Sequence, residues 1–341
     1  VLMQHPNFEF APGEFSSSYH APVMWREVVE IFGDLGGTVL DGTLGGGGHS
    51  HSILANLAAM RVIGIDRDQD AIDFSIARLS AFEGRFLSFK APFSKLADLL
   101  RGAEAESFMA ESPLVGGLFD FGVSSHQFDS AERGFSLRLD GALDMRMDRD
   151  SQLDAIGVLS NISENQLADA IRANGEGRYA KALARAIKME IRAGLSSTFE
   201  LSELIDRVLP KGYTKGRRDS QARVFQAIRV LVNVEMEELS SLLENIPEVF
   251  PVGSHVVFIS YHSGEDAKVK SFISLMLKGD CHCLAQLGCV CGAVARARSI
   301  VRLATAKEDE VAINPRSRSA KMRAIEFIEP IAISTIKGRS K

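Results

Sequence analysis

Val39-Leu40-Asp41-Gly42-Thr43-Leu44-Gly45-Gly46-Gly47-Gly48-His49-Ser50 is the stretch on which the fold turns. It reads as a short apolar strand ending in an acid, then a run of glycines, then a helix start. Glycine has no Cβ, so the backbone can turn tightly there and come close to a ligand. A helix opening directly afterwards points its first N–H groups into the same space. A second apolar strand, Arg61-Val62-Ile63-Gly64-Ile65-Asp66, also ends in an acid. In a parallel sheet such strand ends line the crevice where nucleotide-like ligands sit, and an acid there can hold ribose hydroxyls.

Three readings compete for the glycine run. A plain flexible loop is disfavoured by the strands on both sides. A dinucleotide site needs G-x-G-x-x-G, and counted from Gly45 the third glycine falls on Ser50. An S-adenosylmethionine loop has an acid followed by spaced glycines, D-x-G-x-G-x-G. Asp41, Thr43, Gly45 and Gly47 fill those places, with Thr in the first glycine slot. The loop alone leans toward the methyl donor.

Outward from the loop, apolar segments alternate with helical periodicity. A helix is expected over 24–32 and another over 50–59, with Ile53, Leu54 and Leu57 inward. A third strand covers 86–89 and runs into Ala91-Pro92-Phe93-Ser94, and a fourth covers 114–121 and runs into Gly122-Val123-Ser124-Ser125. This is the α/β alternation that builds a mostly parallel sheet with crossovers. From 151 to 209 only helical periodicity is present, so a helical domain interrupts the sheet. Arg217-Arg218 and Arg223 form its basic exit, followed by a helix over 224–243, a strand over 256–259, a helix over 265–277 and a last strand over 322–328. The expected organisation is an arm over 1–18, a core over 19–129, a helical insertion over 130–221 and the rest of the core over 222–341.

The bulk properties fit a globular protein: 341 residues, 45% hydrophobic, 24% charged. No apolar run approaches the ~20 residues that span a bilayer, and the first eighteen residues lack the pattern of a secretory signal, so a cytoplasmic location and no membrane partner are expected. A net charge of -5 argues against indiscriminate binding to polyanions, while a local basic face still serves nucleic acid. All four cysteines, Cys281, Cys283, Cys289 and Cys291, lie in one short segment that also holds His282. Zinc is one reading. Alternate residues of a buried strand, among Leu284, Leu287, Val290 and Val294, are the reading preferred here, and no metal is assigned.

With these residues collected, the chain resembles the MraW/RsmH family of S-adenosylmethionine-dependent ribosomal RNA methyltransferases, which methylate N4 of a cytidine in 16S-type small-subunit RNA. The resemblance runs from His20 to about Glu326. It is carried by His20-Ala21-Pro22-Val23, the glycine loop, Asp66-Arg67-Asp68, Gly122-Val123-Ser124-Ser125 with Gln127, and Glu132-Arg133-Gly134-Phe135-Ser136. It continues through Leu143-Asp144-Met145-Arg146-Met147-Asp148, Phe225-Gln226-Ala227-Ile228-Arg229, Ser260-Tyr261-His262-Ser263 and Asn314-Pro315-Arg316-Ser317-Arg318-Ser319-Ala320-Lys321.

The resemblance implies a Rossmann-like class I methyltransferase fold and an S-adenosylmethionine site made by Gly47, Gly48, His49, Asp66, Phe93, Asp120 and Gln127. Asp66 would accept ribose hydroxyls and Phe93 would cover the adenine. Asp120 is the candidate catalytic acceptor for a hydrogen of the cytosine amine. Arg146, Arg223, His262 and Arg316 are candidates for contact with RNA of the small subunit or its assembly intermediate, in the decoding region by resemblance. Read singly, Phe93 is a core side chain, His49 a helix-start residue, and Arg133, Arg146 and Arg316 are ion-pairing residues. The chain departs from the family pattern at Gly46, His126, Gly264, Ala267 and 219–224, and no aromatic follows Asp120 in the slot where related amine methyltransferases have one. Two rivals stand beside this reading: a nicotinamide-dependent oxidoreductase, and a non-catalytic RNA-binding or ribosome-assembly factor on a methyltransferase fold.

Overall fold

The computed structural model describes residues 22–210, 216–279, 281, 283 and 291–329. The expected arm and the first two residues of His20-Ala21-Pro22-Val23 lie outside them. Among the described residues the strands are β1 (Gly37–Asp41), β2 (Met60–Asp66), β3 (Phe86–Lys90), β4 (Leu114–Asp120), β5 (His255–Ser260), β6 (Ala297–Thr305) and β7 (Lys321–Phe327). They form one sheet in the order β3-β2-β1-β4-β5-β7-β6. Neighbours from β3 through β5 pair in parallel, while β7 runs antiparallel to both β5 and β6. The fold is the Rossmann-like, mostly parallel arrangement that the alternation in the sequence points to.

The first helices are α1 (Trp25–Phe32), α2 (Gly48–Asn56), α3 (Gln69–Arg78), α4 (Leu96–Leu100) and α5 (Ala103–Glu111). Beyond β4 come α6 (Ser125–Asp129), α7 (Ala155–Asn161), α8 (Glu164–Ala173), α9 (Ala180–Ala193), α10 (Thr198–Val208) and α11 (Arg217–Val232). The chain then continues through α12 (Glu235–Val249), α13 (Ser263–Lys278) and α14 (Glu308–Ile313). Two compact units result, one of Val1–Gly122 with Ser240–Lys341 and one of Val123–Leu239. The expected insertion, 130–221, lies inside the second.

In the sheet unit the central strands are apolar throughout because helices cover both faces. Every residue of β1 is buried. Phe32 of α1 and Ile53 and Leu54 of α2 pack against Val39, Val62, Leu118 and Val257, and each such side chain contributes about 1.5–3 kcal/mol by leaving water. Two adjacent glycines inside β4 have a packing cause. A Cβ on Gly116 would stand 2.6 Å from the Phe32 ring, and one on Gly117 would stand 2.3 Å from the Phe250 ring. Bare backbone lets two aromatic rings settle on the strand that carries Asp120.

The helical unit is built on amphipathic stripes. Leu167, Ile171, Leu183, Ile187, Leu201, Ile205 and Ile228 are fully buried in one cluster. Its helix starts are encoded locally: Ser163 with Gln166, and Ser197 with Glu200, form reciprocal capping boxes.

Two expectations are corrected. The single helix over 224–243 is two helices, α11 and α12, separated by Val234 in the left-handed region at φ 45°. The preceding Asn233 is buried, donates to the Met145 carbonyl at 2.7 Å and accepts the Met147 N–H at 2.7 Å, so tertiary bonds end α11 there. Where it is described, the cysteine segment departs from the expected buried strand. Cys281, Cys283, Cys291 and Val294 lie outside any strand, Cys291 and Val294 are exposed, and Cys289 falls outside the described residues.

Candidate methyl-donor and catalytic site

The glycine loop is tied down by the acids at the two strand ends beside it. Asp41 ends β1, fully buried, and accepts the Ser50 hydroxyl at 2.7 Å and the Thr43 N–H at 3.3 Å. Burial pushes its carboxyl up to about 6, against the pull of the Ser50 hydroxyl and the Thr43 and Ser50 N–H groups. From β2, Asp66 accepts the Gly45 N–H at 2.8 Å and the Asp68 N–H at 2.9 Å. From α3, the Ser75 hydroxyl donates to the Gly45 carbonyl at 2.8 Å and Arg78 to that of Gly46 at 2.9 Å.

Gly47 sits at φ 68°, and a Cβ there would lie 3.0 Å from the Ser75 hydroxyl oxygen, while one on Gly48 would lie 3.2 Å from the Pro22 ring. Larger residues at these positions would push the loop off α3 and the N-terminal segment. Gly47 is also the N-cap of α2 and offers no side-chain cap. The first turn of α2 therefore presents backbone N–H groups in a manner suited to an anion such as the carboxylate of an amino acid.

The other donor candidates in this unit fit their expected chemistry. Asp66 is half-buried at the end of β2, and burial raises its carboxyl to about 6 while the N–H groups of Asp68, Gly45 and Arg67 oppose that rise. Its oxygens keep accepting capacity beyond these bonds. Phe93 follows β3, half-buried, its ring held edge-on by Phe119 at 6.2 Å and Phe121 at 6.3 Å between centroids. Such a fixed, partly open aromatic suits the flat face of a purine.

Asp120 ends β4 at the middle of the sheet, and three residues converge on it. Its N–H donates to the Thr43 hydroxyl oxygen at 2.7 Å, and the Tyr261 hydroxyl donates to its carboxylate at 2.8 Å. The second carboxylate oxygen lies 3.8 Å from His49 Nδ1. His49 Nε2 stands 2.8 Å from the Val23 carbonyl, an acceptor, so that nitrogen carries the hydrogen and Nδ1 is the position facing Asp120. Burial lifts the Asp120 carboxyl to about 6; His49 and the Tyr261 hydroxyl pull it down, and Asp41 and Glu265 push it up. An acid titrating near 6 is ionised at neutral pH yet basic enough to take up a proton. The Tyr261 hydroxyl, buried against Asp120, has its own pKa driven well above 10.

Tyr261 and Thr43 were not singled out by sequence reasoning. Thr43 carried a signal, as the residue in the first glycine slot of the loop pattern. Tyr261 carried a weaker one, as the first residue after β5 in a polar strand end. The structure brings together His49, Asp66, Phe93, Asp120 and the loop glycines in the sheet unit.

The remaining candidates are placed as follows. Gln127 belongs to the helical unit, where its side-chain oxygen accepts the Ser124 N–H at 3.1 Å in the capping box of α6. Arg146 is engaged within the same unit: it pairs with both oxygens of Asp144 at 2.8 Å and donates to the Arg149 and Ser151 carbonyls. Burial would raise the Asp144 carboxyl, but the Arg146 bonds outweigh it and hold it below the usual range. Arg223, on α11, is more open and donates to the Gly175 carbonyl at 3.3 Å. In the sheet unit, His262 caps α13 through Nδ1, which accepts the Gly264 and Glu265 N–H groups, while Nε2 lies 2.9 Å from a Glu265 oxygen without hydrogen-bonding it. Arg316 is exposed in the turn Pro315–Ser319.

Known proteins are similar to this chain over nearly its whole length. A family model described as the MraW methylase family matches residues 17–328. Ribosomal RNA small subunit methyltransferase H of Anaeromyxobacter sp. (strain Fw109-5) is 40% identical over 321 residues, covering 93% of this chain and 99% of its own length. The protein of that name from Myxococcus xanthus (strain DK1622) is 40% identical over 317 residues, covering 91% and 98%. That from Geobacter sp. (strain M21) is 39% identical over 315 residues, covering 91% and 99%. No helix among the described residues is long and apolar enough to cross a membrane.

Proposed function

Because this chain belongs to the MraW methylase family, we propose that it transfers a methyl group from S-adenosylmethionine to N4 of a cytidine in small-subunit ribosomal RNA, in the decoding region by family resemblance. The single observation that carries the chemistry is Asp120, an acid raised to about 6 at the end of β4 and oriented from three sides by Thr43, Tyr261 and His49. When bound, S-adenosylmethionine supplies an electrophilic methyl group on a sulfonium. The residues present fit it: N–H groups at the start of α2 for its carboxylate, Asp66 for ribose hydroxyls and Phe93 for the adenine face.

An exocyclic cytosine amine is a weak nucleophile, because its lone pair is delocalised into the ring. Asp120 accepts one amine hydrogen, which draws the nitrogen out of conjugation, and then takes the proton released as the carbon–nitrogen bond forms. Tyr261 holds the carboxylate in one orientation and Thr43 fixes the Asp120 backbone from which it projects, a positioning effect that the reaction needs because the reacting atoms must lie within about 3–3.5 Å. The target base is turned out of its stack to be reached. The helical unit, with Arg217, Arg218 and Arg223 at the start of α11, is assigned to RNA recognition. On this reading the enzyme works in the cytoplasm.

The test is mass spectrometry of unmodified small-subunit RNA after incubation with the enzyme and donor. The expected product is a single N4-methylated cytidine. A methyl group on ring carbon or ribose, or none, would refute the assignment.

A further inference from the structure

The cysteines stand apart from the site above and ask for their own explanation. The chain has four, all between 281 and 291, and none in the other 330 residues. The sulfur atoms of Cys281, Cys283 and Cys291 lie within 4.8 Å of one another, and none of the three forms a disulfide. Thiols that serve only as small apolar core residues are buried. Here Cys281 and Cys283 are half-buried and Cys291 is exposed.

The segment that carries them is the connection from α13 to β6, and its base is closed by backbone contacts that involve no sulfur. The Arg296 N–H donates to the Met276 carbonyl at 2.8 Å. Gly279, at φ 59°, lets the chain pass so near Val294 that a Cβ would stand 2.4 Å from its carbonyl oxygen. The loop ends are thus brought together, and the thiols are gathered beyond that closure. Four thiolates on a tetrahedral zinc ion, each bound at ~2.3 Å, stand about 3.8 Å apart. The three sulfurs need to close by no more than about 1 Å per pair to meet that geometry.

We propose that Cys281, Cys283 and Cys291 are three thiolate ligands of a structural zinc ion in the α13–β6 connection. Sulfur ligands select zinc over magnesium or calcium, which take oxygen. The ion fastens a connection whose next element, β6, is the outer strand of the sheet and is mostly exposed.

The experiment uses the full chain, purified and kept reduced, and measures metal content and cobalt substitution without any methyl-transfer readout. About one zinc per chain is expected, and cobalt loading should give an intense thiolate-to-cobalt charge-transfer band. Cys283→Ser and Cys291→Ser, each checked for native circular dichroism, should each lower the bound zinc at least tenfold at a fixed low free-zinc concentration. Unchanged zinc content in either folded variant overturns the proposal. If the variants fail to fold, the cobalt spectrum of the unaltered chain decides, and the absence of the thiolate band, or of any metal binding by the reduced protein, overturns it.

Discussion

Replacing Asp120 by Asn tests the catalytic assignment most directly, because the structure says which bonds survive. The backbone N–H to the Thr43 hydroxyl is untouched, and the Asn oxygen can still accept the Tyr261 hydroxyl. The amide then stands where the second oxygen lay, 3.8 Å from His49 Nδ1, at nearly the same volume. Fold and donor site should therefore persist, and only the capacity to take up a proton is lost. General-base assistance typically contributes ~10²–10⁴-fold, so single-turnover methyl transfer at saturating donor and RNA should fall by that factor. The unaltered enzyme should show the matching pH dependence. With a carboxyl at about 6, about nine-tenths is ionised at pH 7 and about one-tenth at pH 5, so kcat/KM should decline about tenfold across that interval. Asp120→Asn should flatten that limb of the profile. If Asp120 instead only contacts the donor, saturating donor would return the variant to near the unaltered rate, and that recovery would refute the reasoning.

Tyr261→Phe removes a hydrogen bond that favours the charged form of Asp120, so the acidic limb of the profile should move to higher pH and the rate at pH 7 should fall about two- to tenfold; an unmoved limb would deny Tyr261 this role. Asp66→Ala should weaken donor affinity by about ten- to a hundredfold by calorimetry, since hydrogen bonds to a charged group are worth about 1.5–3 kcal/mol. It should also lower the melting temperature, because the Gly45 and Asp68 N–H groups lose their acceptor; unchanged affinity in a folded variant would remove Asp66 from the donor site. Replacing Arg217, Arg218 and Arg223 together should weaken RNA binding and reduce the slope of log affinity against log salt by about 2, at ~0.7 per lost single-strand phosphate contact. An unchanged slope would assign the three to the start of α11 alone.

What could be read from the sequence follows from the range of the forces involved. Strands covered on both faces are largely apolar, so β1, β2, β4 and β5 were visible as short runs, and the glycine loop was visible because glycine takes the left-handed turns at Gly45 and Gly47 without the strain a side chain adds. The capped, periodic helices of the helical unit were equally plain. Elements decided by distant partners were not. The outer strand β6 is mostly exposed and lacks the alternation of a half-buried strand; pairing with β7 makes it a strand. The break between α11 and α12 depends on Asn233 meeting Met145 and Met147, nearly ninety residues away in the chain.

The same division runs through Asp120. Its place at a strand end could be read locally, and an acid at a strand end is common. What distinguishes it is company: Tyr261 follows β5, which pairs directly with β4, while Thr43 and His49 come from the loop and the first turn of α2 that follow β1, which pairs with β4 on its other side. The order β1-β4-β5 therefore does more than build a core. It sets the carboxylate between a hydroxyl and an imidazole contributed by its two neighbours, and that placement holds its pKa at about 6 rather than allowing burial to raise it further.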